Sequence, residues 1–111
     1  MHPNPAEAIR AARAATRQAI TSRYPGLVQI EGDTYEAAVT YGEFEEQLRD
    51  GGIAMIRGCS ILIARTALAT KPAGGTAVTV QGADGGTYYV RTVVGDHDAD
   101  SWLLRCSANR I

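Results

Sequence analysis

The chain holds only two cysteines, Cys59 and Cys106, and no CxxC spacing. That excludes a multi-bridge disulfide scaffold and gives no zinc or redox motif. Two buried free thiols are the expectation. A single bridge between strands is the lesser alternative, because sequence does not reveal Cα separation. Histidine is as scarce, with His2 and His97 alone, too few imidazoles for a zinc or iron site. An excess of charge is missing too: 11 basic residues stand against 12 acidic ones, a net charge of −1, so no global positive field holds nucleic acid nonspecifically. No apolar run approaches the roughly 20 residues that span a bilayer, and MHPNPAEAIR lacks the charged-then-apolar order of a secretory signal. Neither a membrane span nor export by that route is expected.

What remains is ordinary globular composition, 45% apolar and 21% charged, in 111 residues, a length that suits one domain burying roughly two-thirds of its surface. Asn4 is placed to cap a helix whose first turn carries Pro5 and Glu7, and the alanine-rich stretch from Ala6 to Ser22 propagates it. Its apolar stripe of Ile9, Ala12, Ala19 and Ile20, with Thr16 in line, is thin, so its docking is expected to be weak. Arg10, Arg13 and Arg17 project from one side. They make either a solvated face or a contact to an acidic partner or a DNA backbone. Tyr24, Pro25 and Gly26 end the helix.

After Gly26 the pattern becomes short β-branched and aromatic runs divided by glycine-bearing turns, the signature of an antiparallel sheet. Strands are expected at Leu27 to Ile30, Glu36 to Phe44, Ser60 to Arg65, Thr76 to Gln81, Thr87 to Val94 and Ser101 to Cys106. Alternation puts Tyr88, Val90 and Val94 on one side with Thr92. It likewise groups Trp102, Leu104 and Cys106 against Leu103 and Arg105, and Val78 and Val80 against Thr79. The fold expected is mainly β: a small antiparallel sandwich or barrel with an N-terminal helix and a long mobile loop.

That loop is EEQLRDGGIAMIRG, Glu45 to Gly58. Two readings stand level: a strand after a turn, with IAMI pairing normally, or a mobile loop whose apolar tip, with Leu48, Ile53, Met55 and Ile56, waits for another subunit. The second cluster of interest is Asp96, His97, Asp98 and Asp100. The aspartates match the first, third and fifth ligands of an EF-hand, but Ser101 and Ser107 stand where a glycine and a bidentate glutamate belong. Gly95 with these aspartates reads as a hairpin turn instead of a metal site. Ser60, Ser101 and Ser107 lack a nucleophile elbow, the glycines of AGG at 73–75 and GADGG at 82–86 open no helix for phosphate, and Glu43, Glu45 and Glu46 belong to an exposed loop more readily than to an acid–base pair.

In order and spacing, EGDTYEAAVTYGEF, ILIARTALATKPAGGTAVTVQG and TYYVRTVVGDHDADSWLL resemble the corresponding stretches of the lambda-type phage tail attachment family, also called head completion or head-tail joining proteins. The likeness runs through most of the chain. It departs from that family's pattern in the longer turn GADGG and in ending at Ile111, just past the last strand. The resemblance implies a small β-sandwich or barrel, copies of which form a ring under the portal connector in the virion and dock the tail. It also implies an N-terminal arm, here the residues before Tyr24, and a long loop, here Glu45 to Gly58, that order on assembly. No catalytic residue and no cofactor belong to that role. Portal, connector and tail proteins are the partners, and DNA passes through the lumen without specific binding. Arg10, Arg13, Arg17, Leu48, Ile53, Met55 and Ile56 are the candidate partner-binding residues. Alternatives are a tail terminator or another tail-completion protein, and, from a different class, a small metal- or ligand-binding enzyme centred on the aspartates.

Overall fold

A computed structural model of the protein describes residues 5–47, 49–82, 85–95 and 100–108. Asn4, Leu48, Asp96, His97 and Asp98 lie outside them, so the proposed helix cap, one candidate contact and most of the aspartate cluster do too. Helix α1 (Pro5–Arg23) precedes strands β1 (Pro25–Ile30), β2 (Asp33–Gln47), β3 (Ile53–Ala64), β4 (Ala77–Val80), β5 (Gly86–Val94) and β6 (Ser101–Ser107). All six strands expected from sequence are present, and they close into an antiparallel barrel in the order β1-β2-β3-β6-β5-β4.

Pairing of β4 with β1, Val28 opposite Val80, completes the ring, and closure removes the open edges that would otherwise template aggregation. Inward-facing Val28, Ile61, Ile63, Val78, Val90 and Leu104 have no solvent exposure. Burial of each branched side chain contributes about 1.5–3 kcal/mol. Trp102, Leu104 and Cys106 face the core together, as do Val78 and Val80, matching the alternation in the sequence.

One strand breaks that alternation. The β5–β6 register jumps between Val90 and Thr92, leaving Arg91 as an extra residue. A bulge exchanges the two faces beyond it. Val93 therefore packs on the core, and Val94, expected to share the inner side with Tyr88 and Val90, points outward and is half exposed.

Turns follow the local chemistry. Glu31 and Gly32 both have positive φ, 52° and 90°, in the two-residue connection between Ile30 and Asp33. This is the geometry whose twist matches paired strands. Gly95, with φ of 152°, lies so close to Trp102 that a Cβ there would come within 2.7 Å of the indole ring. The indole NH donates to the Leu68 carbonyl at 2.8 Å, and the Arg65 guanidinium stacks over the ring at 4.4 Å, a cation–π contact that pins the loop after β3.

Candidate functional site

The segment Glu45 to Gly58 is a hairpin, which decides between the two readings open at the sequence level. Strands β2 and β3 pair continuously from Ala38↔Leu62 out to Gln47↔Ile53. Gly51 takes a positive φ of 88°, and the Gly52 amide donates to the Asp50 carboxylate at 3.0 Å, a local aspartate turn. IAMI pairs normally, because β-branched side chains suit a pleated ribbon.

The hairpin nevertheless outruns the barrel. Strand β1 covers β2 only as far as Ala38, and β6 covers β3 only as far as Gly58, opposite Ser107. Beyond that, the Ala108 amide still donates to the Arg57 carbonyl at 2.9 Å. Among the described residues no third strand accompanies 43–47 and 53–57. A two-stranded ribbon is marginally stable by itself in water.

Alternation sorts the tip. Ile53, Met55 and Arg57 share one face with their cross-strand partners Gln47, Glu45 and Glu43. Ile53 is 68% and Met55 57% exposed. Ile56, expected to join them, has the opposite parity and is buried at 4%, so it is a packing residue and leaves the exposed set. Glu43 and Glu45 sit on this strand, not in a loop.

The second appendage is α1. None of its residues is buried, which fits the thin stripe read from sequence. A cleft of about 810 Å³ separates it from the barrel, lined by Ile9, Arg13, Thr16, Ile20, Leu62 and Val94 among others. The helix is tied to the barrel by an ion pair: the Arg17 guanidinium donates to the Asp100 carboxylate, both groups being partly buried. Arg17 thus spends its charge inside the chain, whereas Arg10 remains on the exposed helix surface. Asp100, grouped by sequence with the turn aspartates, is the helix anchor. Its backbone carbonyl also accepts the Arg65 amide at 2.9 Å. A contact so distant in sequence left no local signal. Among the described residues no three histidine, cysteine, aspartate or glutamate side chains gather to hold a metal ion.

At the ribbon's root lies a cavity of about 400 Å³, lined by Tyr41, Glu43, Cys59, Arg91, Arg105 and Cys106 among others. The Tyr41 ring, partly exposed, lies 6.3 Å from that of Tyr88. Both thiols are free and face each other across β3 and β6. Their hydrogen bond lowers the Cys59 pKa against the opposing effect of burial. The same bond, reinforced by burial and by the neighbouring sulfur's charge, raises that of Cys106. Comparison with protein-family models and with curated protein sequences finds no match for this chain.

Proposed function

We infer that the protein is an assembly adaptor of a phage or prophage head-tail junction, a barrel that joins copies of itself into a ring under the portal and offers a surface to the tail. The observation that carries this reading is the two-stranded ribbon, which leaves the barrel and displays Ile53 and Met55 uncovered. Covering them contributes about 1–2 kcal/mol each, enough to drive association only when many copies act together.

Charge supports a head-to-tail arrangement. Besides the internally paired Arg17, helix α1 carries Arg10, Arg13 and Arg23 against Glu7 alone, and the outer part of β2 carries Glu43 and Glu45. Unlike surfaces that attract one another generate heterologous contacts, which close into a ring when the rotation allows. A net charge of −1 suits a lumen through which DNA slides. The similarity of the three quoted stretches to the tail attachment family supplies the choice of partner.

The test mixes the purified chain with portal rings and, separately, with tail tubes. The expected result is a monomeric free chain cut by protease within 45–58 and protected on addition of portal. The double substitution Ile53→Asp with Met55→Asp is expected to abolish binding while leaving the melting temperature unchanged. Binding to tail tubes alone identifies a tail terminator. Binding to neither, with the ribbon resistant to protease in the free chain, overturns the adaptor reading.

A further inference from the structure

The two cysteines are separated by 46 intervening residues in the chain, yet the barrel sets them directly opposite one another on antiparallel neighbours, Cys59↔Cys106. Opposed residues in such a pair have Cα atoms about 4.5 or 5.5 Å apart, and both spacings fall within the roughly 4.4–6.8 Å that a disulfide spans. The thiols already hydrogen-bond to each other. They are 5% and 1% exposed but line the cavity at the ribbon's root together with Arg91 and Arg105. That space, about 400 Å³, is ample for hydrogen peroxide to reach the two sulfurs.

We propose that Cys59 and Cys106 form a peroxide-reactive dithiol that closes into a cross-strand disulfide and staples β3 to β6 where the ribbon leaves the barrel. Cys59, whose thiolate the neighbouring thiol favours, attacks one oxygen of hydrogen peroxide. The O–O bond breaks, Cys59 becomes the sulfenic acid, and the second oxygen leaves as hydroxide, which takes a proton to form water. Cys106 sulfur then attacks the Cys59 sulfur, the S–O bond breaks, and the Cys106 proton leaves with the hydroxyl as a second water. Two thiols are oxidised by two electrons and one peroxide is reduced to two waters. The proposal does not depend on the assembly reading.

The experiment treats the folded, full chain with hydrogen peroxide and measures intact mass, thiols open to alkylation after denaturation, and the linkage in a non-reducing digest. The expected product has lost two hydrogens, offers no alkylatable thiol, yields a Cys59–Cys106 linked peptide and regains both thiols on reduction. Cys106→Ser is expected to stop at a trappable sulfenic acid on Cys59. Cys59→Ser is expected to react at least about tenfold more slowly, since the attacking thiolate is lost. Retention of both thiols by the folded wild-type chain, or links only between molecules, overturns the proposal even if neither variant folds. Equal rates for the two variants overturn the role of Cys59 as the attacking group.

Discussion

From Cys59 to Ile63 the inward side chains of β3 are sealed inside the barrel, whereas Ile53 and Met55, on the same face of the same strand, are mostly exposed. Sequence pattern, strand geometry and pairing with β2 are continuous across the two halves. What differs is the other edge. The inner half has β6 beside it, and the outer half, among the described residues, has no third strand. A hydrophobic face needs a second layer to seal it. The ribbon thus resembles half of a core, with the remaining half to be supplied from outside. Helix α1 repeats the theme more weakly, with the Arg17–Asp100 ion pair and an open cleft beside the barrel.

The sharpest challenge to this contrast is truncation at matched positions. Ile61→Ala, at a site with no solvent exposure, is expected to cost about 2–5 kcal/mol in chemical denaturation. A loss below 1 kcal/mol, taken as roughly the lower edge of core truncations, would mean that the barrel interior is loosely packed and the contrast false. Gly95→Ala comes next, at about 1–3 kcal/mol, since a Cβ meets the Trp102 ring and the backbone must also shift. Its thermal denaturation should show the loss in the barrel transition, not as detachment of an appendage.

Arg17→Ala should cost at most about 1 kcal/mol, because a single partly exposed ion pair contributes little. Its visible effect is local: protease cleavage within α1 accelerates while the barrel's melting temperature hardly moves. If the barrel loses stability in step with the helix, the two form one cooperative unit and α1 is no appendage. The smallest effect belongs to Ile53→Ala, expected within about 0.5 kcal/mol of wild type, as for other exposed sites. Hydrogen exchange sharpens the same point. Amides of 53–57 should exchange by local opening, and those of 59–63 only through global unfolding.

Much of the architecture was legible locally. The strands announced themselves through β-branched and aromatic runs between glycine-bearing turns, and Trp102, Leu104 and Cys106 were correctly grouped because period-two patterning survives wherever pairing is regular. Val94 was misplaced because the bulge at Arg91 has no distinctive residue code; it arises from how β5 must bend against β6. Of the candidate contacts, Ile53 and Met55 are exposed, Ile56 is buried by its parity, and Arg17 is taken by Asp100. The Cys59–Cys106 apposition was open from sequence because β3 and β6 are joined by two intervening strands.

The amino-acid order by itself determined the elements: an alanine-rich helix with a stripe too narrow to bury, then six strands whose alternating side chains call for one buried face. Those properties are set by neighbours within a few residues, where propensity and periodicity act. Only the tertiary structure decided the closure of β4 on β1, the meeting of the two thiols, the Arg17 latch and the point at which the ribbon outgrows its neighbours. Each of these depends on which distant strands lie side by side, a choice made by burial summed over the whole barrel and invisible in any one segment.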